Sequence, residues 1–491
     1  MRSELVEARS VFAALSCALV VAVALQVVRS QGLLAISDDD YARVVIAQEF
    51  AANPRWDPSA TSWLPLPFWV TGLTLRVWGP TLNHARFVML AFNAACCMLL
   101  WAVGRKLGLS RAQSVCLTLA SALLPSALWL GAAPIPEFSS AILITVSCLS
   151  LLAPVSSRWR VLGACATALA CASRYEAWPV ALGSAAYNGW DLLRTHKEPG
   201  ARNWHLVMAC ALCLAFPCAW MLHGMLHHGE MLFFLERVKN YRSALGQDLP
   251  SWLELITGYP LALLVVEPLA LVLGLSALAL VISQRVRGQT RQGDLPQRPY
   301  VARAVSLLAL QIGVLVLGEA RGGAPTHHPE RALLAIWTTT SFLAGYLWCT
   351  RSTVATQRYA ASACALCLLL AHLFAPWGHR LAASRLRAPE EEVGRALASL
   401  SPTATVGLAT KDYGYFAIMA AAGAPGRFKI WSRHDPREQQ GQAALSTWVE
   451  QQPMTFLVAP RGAEVQHTLK GALKATPRHQ SEQFVLYTIE H

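Results

Sequence analysis

Residues 11 to 28 read VFAALSCALVVAVALQVV. At about 1.5 Å of rise per residue an uncharged helix of this length crosses a hydrocarbon core. No A-x-A-like cleavage site follows it and further apolar runs come later, so it reads as a retained membrane helix and not as a signal peptide. The composition agrees: 54% of the 491 residues are hydrophobic, 14% are charged, and mean hydropathy is +0.37. That is too apolar for a soluble chain of this size and predicts an α-helical polytopic membrane protein.

Apolar windows of about 20 residues predict about eleven transmembrane helices. They fall at 11 to 29, 86 to 104, 112 to 131, 137 to 153, 159 to 173, 177 to 193, 204 to 223, 257 to 283, 302 to 319, 332 to 349 and 360 to 377. Residues 159 to 193 are too few for two full crossings, so two short helices are expected to meet at SRYEAW (173 to 178), part way through the membrane. Ionisable groups at such depth are costly, which makes Arg174 and Glu176 functional candidates.

The net charge of +12 raises the question of a nucleic-acid partner, and the positions of the charges answer it. Basic residues fill alternate gaps between apolar windows: Arg2 and Arg9, then Arg105, Lys106 and Arg111, then Arg158 and Arg160, then Arg285, Arg287 and Arg291. This is the positive-inside pattern, with the N-terminus cytoplasmic and no nucleic-acid partner. The acids and motifs occupy the other gaps, so function is expected on the extracytoplasmic face. All 13 cysteines lie within apolar windows and imply neither a disulfide framework nor a zinc site.

Directly after the first window comes LLAISDDDYARVVIAQEF, residues 33 to 50. Ser37-x-x-Asp40 fits a capping box, and acids in a first turn suit the helix dipole. A cap does not explain three consecutive aspartates, and a carboxylate in a partly dry cleft is also a general base. Trp56, Trp63, Trp69 and Trp78, with four prolines between residues 54 and 67, predict short juxtamembrane helices on the outer surface. The segment MLFFLERVKNYRSAL (231 to 245) repeats the theme, with Phe234 and Val238 on one helical face and Arg237 off it.

From residue 380 the composition turns polar. EEEVGRALASL, AALSTWVEQQ and VQHTLKGAL read as helices, and ATVGLA, GRFKIW, MTFLVAP and EQFVLYTI as strands. A small C-terminal α/β extracytoplasmic domain, 380 to 491, is expected to follow a transmembrane domain, 1 to 379. Neither a Walker sequence nor G-x-G-x-x-G is present. Lys411, Asp412 and Tyr413 follow a predicted strand and read as a turn or as a binding loop.

An N-terminal span, an acidic opening to the first outer loop, TSWLPLPFWVTGLTLRVWG (61 to 79), ARFVMLAFNAACCMLLWAVGRKLG (85 to 108), SRYEAW, HHPERALLAIW (327 to 337) and a terminal domain with DYGYFA (412 to 417) stand in a telling order. Over residues 1 to about 378 this layout resembles the polytopic GT-C glycosyltransferases. Within them it is most similar to the family 39-like branch of dolichyl-phosphate-mannose-protein mannosyltransferases and aminoarabinose transferases. The resemblance implies transfer of a sugar from a polyprenyl-phosphate donor to a protein, glycolipid or cell-wall acceptor, with inversion, in a bacterial inner membrane.

It further implies that an acid at the start of the first outer loop is the base: Asp39 first and Asp38 second, with Asp40 facing the cap. Arg331 and Arg174 are candidates for the departing phosphate, since a guanidinium binds phosphate oxygens in a fork. Interfacial snorkelling or pairing of Arg331 with Glu330, and of Arg174 with Glu176, are the structural alternatives. Glu137, in APIPEFSS, orients the acceptor, holds a divalent ion with the aspartates, or serves as a first-turn helix acid. His327 and His328 complete the substrate-binding candidates; adjacent histidines diverge on a helix, which weakens a metal reading. Metal dependence varies in this class, so no cofactor is assigned. A transporter or lipid flippase is the alternative, against which stand the lack of an internal repeat and the clustering of acids on one face; a noncatalytic scaffold is the third.

Overall fold

The computed structural model describes residues 2–153, 158–195, 203–244, 251–286, 298–321, 329–401, 403–410, 412–432, 448–449, 452–461, 474–481 and 483–490. The candidate residues His327, His328 and Lys411 lie outside them. All eleven predicted windows are helical. In chain order the helices to the middle of the chain are α1 (Arg2–Ser30), α2 (Asp38–Ala52), α3 (Leu66–Trp78), α4 (Leu82–Lys106), α5 (Arg111–Ala122), α6 (Pro125–Gly131), α7 (Glu137–Ser150), α8 (Trp159–Cys171), α9 (Trp178–Thr195) and α10 (Trp204–His228). There follow α11 (Phe233–Ala244), α12 (Trp252–Val265), α13 (Pro268–Val286), α14 (Arg298–Ala320), α15 (Pro329–Arg351), α16 (Val354–Phe374) and α17 (Trp377–Ser384).

By length and composition five of these cross a membrane outright: α1, α4, α10, α14 and α15. Three further crossings are bent pairs, α5 with α6 at 75°, α12 with α13 at 90° and α16 with α17 at 52°. Pro125 and Pro268 each sit at the start of the second helix of their pair, where a proline ends one helix and suits the first turn of the next. The chain is a multi-pass membrane protein, with fewer straight crossings than the windows suggested. Helix α1 shows why apolarity alone overcounts: Cys17, Val21 and Leu25 recur every fourth residue on a buried face, while the equally apolar Phe12, Leu15 and Leu19 face outward to lipid.

Helix α7 is buried on every side among α4, α8 and α15. Its 14 residues span only about 21 Å, and a helix so enclosed need not meet both membrane surfaces. Small and hydroxyl residues allow the close packing. Thr145 on α7 lies 2.9 Å from the hydroxyls of Thr338 and Thr339 on α15, and a side chain at Gly163 on α8 would collide with Ser150. Nearby, Asp191 on α9 gathers Arg160 at 3.3 Å and Arg303 at 2.6 Å in a buried cluster; Arg160 is thus a paired core residue and not a free flanking charge.

The terminal domain comprises α18 (Ala388–Ala398), β1 (Val406–Thr410), α19 (Tyr415–Ala422), β2 (Phe428–Ser432), β3 (Phe456–Pro460), β4 (Lys474–Gln480) and β5 (Phe484–Glu490). The strand order is β2-β1-β3-β5-β4, with β1 parallel to β2 and β3, and β5 antiparallel to β3 and β4. Two elements depart from the sequence reading. YFAIMAAA forms the crossover helix α19, and KATPRHQ forms the edge strand β4, where Pro477 and an adjacent register shift are tolerated.

The first loop forms the short helices α2 and α3, which pack against the terminal domain. Tyr41, Val44 and Val45 of α2 and Phe68 and Leu75 of α3 share one core with Val393, Val406, Ile418 and Met419 of the terminal domain. Helix α2 therefore lies between the terminal domain and the bundle. A buried fork fixes the junction: Arg86 of α4 donates to both oxygens of Glu391 on α18, at 3.0 and 2.9 Å, and the Tyr41 hydroxyl donates to Glu391 Oε2 at 3.0 Å.

Candidate active site

Successive side chains on a helix point about 100° apart, and the three aspartates at the head of α2 accordingly face three environments. Asp38 lies in a fork from Arg387, between α17 and α18, with Nε to Oδ1 at 2.7 Å and Nη2 to Oδ2 at 2.8 Å. Asp39 faces the bundle, where Arg331 Nη1 approaches Oδ2 at 3.4 Å. Asp40 is buried and turns back on its own helix start, accepting from the Ile36 N–H at 2.7 Å and the Ser37 hydroxyl at 3.4 Å. The expected Ser37 side-chain cap is not formed; Asp40 reaches the residue before the cap instead. Burial pushes the Asp40 carboxyl up to about 6, against the opposing pulls of the Ile36 N–H and the Arg331 guanidinium.

Beyond Asp39 lies a compact charged cluster. Glu137, the first residue of α7, is 1% exposed. Its Oε1 accepts from Arg331 Nε at 2.6 Å and from Arg174 Nη1 at 2.5 Å, while Oε2 has no hydrogen-bond partner. Arg174 also grips Glu176 in a fork, Nε to Oε2 at 3.1 Å. Arg331 is thus held by Glu137 and Asp39, and Glu137 is partnered by arginines. Next door Tyr175 stacks on Phe234 of α11, centroids 5.0 Å apart, which brings the predicted face of that helix to the SRYEAW turn.

One member of the cluster was not anticipated. Arg43 stands four residues after Asp39 on α2, is 7% exposed, and its Nε has no hydrogen-bond partner. The guanidinium lies over the Trp63 ring, 4.3 Å from the centroid. Burial lowers its pKa to about 10, so it remains a cation at neutral pH. Asp39, Glu137 and Arg331 all lie in the first turns of α2, α7 and α15. Three helix N-termini with their partial positive charge, and three arginines, meet at one end of the bundle. That is a setting for an anion with several oxygens.

A group with the donors of a metal site lies elsewhere. Asp57, His223 and His228 bring ligand atoms within 4.8 Å of one another, and the donor set suits a divalent ion such as zinc. Arg237 now occupies that corner, bonded to Asp57 at 2.8 Å and 3.3 Å from His228 Nε2. A cavity of about 830 Å³ lies on the far side of α2, against Asp38 and the terminal sheet, and not at the arginine cluster.

No protein-family model matches the chain, and no curated protein matches it. Among solved structures it is similar to the crystal structure of ArnT from Cupriavidus metallidurans bound to undecaprenyl phosphate, at 15% identity over 97% of each chain with a TM-score of 0.49. It is also similar to the apo state of that protein, at 14% identity over 97% of each chain with a TM-score of 0.47.

Proposed function

We infer that the protein is a membrane glycosyltransferase that moves one sugar from a polyprenyl phosphate to an acceptor hydroxyl or amine, at the extracytoplasmic face of a bacterial inner membrane. The observation that carries this reading is the convergence of Arg43, Arg174 and Arg331 on Asp39 and Glu137 at the bundle end where α2, α7 and α15 begin.

In this reaction the acceptor O–H or N–H gives its proton to Asp39 as its oxygen or nitrogen bonds to the anomeric carbon. The bond from that carbon to the phosphate oxygen breaks, and its electron pair stays with the phosphate. The arginines hold the charge that develops there. One displacement inverts the anomeric centre. Glu137 and Glu176 neutralise and aim Arg331 and Arg174. Asp38, already in the fork of Arg387, is less free to serve as base than Asp39, whose contact with Arg331 is a long one.

The test is sugar transfer from a panel of synthetic polyprenyl-phosphate sugars to membrane and protein extracts by the purified chain, its Asp39→Asn variant and its Asp38→Asn variant. Loss of transfer by about 10²- to 10⁴-fold in Asp39→Asn, with thermal stability kept, is the expected result. A wild type that consumes no donor sinks the reading and returns the transporter alternative to the front.

A further inference from the structure

The tryptophan-rich loop between α2 and α3 is wound on its own side chains. Asp57 Oδ1 accepts from the Ala60 N–H at 3.1 Å and from the Ser59 hydroxyl at 3.4 Å. Ser59 Oγ also approaches the Trp63 carbonyl at 2.9 Å and accepts from the Thr61 N–H at 3.1 Å. Ala60 sits at φ 51°, a left-handed conformation that a residue with a side chain adopts at a cost and keeps only where its surroundings hold it. The turn ends at Trp63, whose ring lies on the Arg43 guanidinium.

One side chain of α11 holds this turn from outside. Arg237 Nη1 donates to Asp57 Oδ2 at 2.8 Å and to the Thr61 carbonyl at 2.9 Å, so a single nitrogen grips the chain on both sides of the strained residue. Its Nη2 lies 3.3 Å from His228 Nε2, and its guanidinium carbon is 4.7 Å from the centre of the Phe233 ring. Phe233 stacks on His228, with centroids 4.5 Å apart, and packs against Trp220. Arg237 is thus fixed by α10 and by its own helix before it reaches the loop. Its removal leaves the Asp57 carboxylate, 10% exposed, without this charged partner.

Arg43 suits such support. Stacking on an aromatic face leaves the in-plane N–H donors of a guanidinium available to phosphate oxygens. A ring that shifts takes the orientation of those donors with it. The same helix places Phe234 on Tyr175, the neighbour of Arg174, so α11 reaches the arginine cluster by two routes.

We propose that Arg237 is a positioning residue for the phosphate site: it clamps the turn 57 to 63 to α11, and through Trp63 it sets the Arg43 guanidinium for an incoming polyprenyl phosphate. The purpose of the clamp rests on the transferase reading above, whereas the clamp itself does not.

Two measurements on the purified full-length chain test this. Amide hydrogen exchange without ligand reads the clamp. Arg237→Ala is expected to raise exchange across residues 57 to 63, and Arg237→Lys to raise it less, because an ammonium can reach Asp57 without also holding Thr61 and His228. Titration with farnesyl phosphate, a soluble polyprenyl phosphate, reads the consequence. Arg237→Ala and Trp63→Leu are each expected to weaken binding about threefold to tenfold, as for loss of one cation–π contact. The double variant is expected to lose no more than the larger single loss. In an Arg43→Ala background, Arg237→Ala is expected to leave affinity where it was.

Unchanged exchange in residues 57 to 63, full affinity in Arg237→Ala, additive losses in the double variant, or an Arg237→Ala effect that persists without Arg43 would each overturn the proposal. Raised exchange in Arg237→Ala, in a protein whose wild type ignores farnesyl phosphate, supports the clamp and strikes at the transferase reading alone.

Discussion

Arg331 on α15 donates from Nε to Glu137 Oε1 on α7 at 2.6 Å, and the glutamate side chain is wholly enclosed. The pair closes the bundle end and gives the arginine cluster its charge balance. Removing one partner of a buried ion pair leaves the other uncompensated, which costs about 3–5 kcal/mol. Here a second arginine, Arg174, would be left as well. Glu137→Ala is therefore expected to lower the thermal midpoint sharply, and Glu137→Gln less so, because the amide oxygen still accepts one guanidinium. A midpoint unchanged in Glu137→Ala would mean that solvent already screens the cluster.

Asp40 makes a prediction in pH. Its carboxyl is held at about 6 against an ordinary 3.8, chiefly by burial. Between these values the folded state binds more proton than the unfolded chain, so stability falls as pH rises through the window. At roughly 1.4 kcal/mol per pH unit this group removes about 3 kcal/mol of stability between pH 4 and 6, with the contribution fully present below the lower value. Subtracting the pH profile of Asp40→Asn, whose carbonyl can still accept from Ile36, should expose this decline. Parallel profiles for the two proteins would show that Asp40 stays ionised in the fold.

The junction between terminal domain and bundle depends on Glu391 with Arg86, both nearly fully enclosed. Glu391→Ala strands the Arg86 guanidinium and the Tyr41 hydroxyl, and a loss of about 3–5 kcal/mol is expected. The double variant Arg86→Leu with Glu391→Leu should recover part of it, because two apolar side chains leave no stranded charge. Thermal unfolding of both singles and the double gives the coupling directly; additive losses would mean that the pair does not act as a unit.

The features legible in the sequence were those with a period or a run. Apolar windows located the helices because a membrane demands length, but they could not separate α1, which touches lipid, from α7, which never does. The aspartate triplet heads α2, and Arg174 of SRYEAW and Arg331 meet beside it on Glu137. The terminal strands β1, β2, β3 and β5 were visible as apolar runs. Helix α19 was not, because YFAIMAAA packs against the core and shows no polar face; β4 was hidden by its polar composition and by Pro477. The tryptophan-rich loop leaves Trp56 and Trp78 exposed, while Trp63, Phe68 and Leu75 join the core shared with the terminal domain. Arg387 and Glu390 look from sequence like solvated charges at a helix start, and only the folded sheet brings Asp412 to them.

Arg43 had one signal, its i, i+4 spacing from Asp39, which places both on one face of α2, and it allows the sharpest separation of structure from function. A guanidinium that is buried, lacks a hydrogen bond at Nε and lies over the Trp63 ring costs stability even with the Glu137 and Asp39 carboxylates nearby. The same group becomes favourable when a phosphate supplies the missing oxygens. A charged hydrogen bond of about 1.5–3 kcal/mol corresponds to a loss of roughly tenfold to a hundredfold in farnesyl phosphate affinity for Arg43→Ala. Arg43→Lys should fall between, since it keeps the charge and loses the fork. In the absence of ligand the thermal midpoint of Arg43→Ala should hold or rise, and the stabilisation conferred by added farnesyl phosphate should shrink. Undiminished affinity together with a lowered midpoint would make Arg43 a packing residue on Trp63 and remove it from the phosphate site.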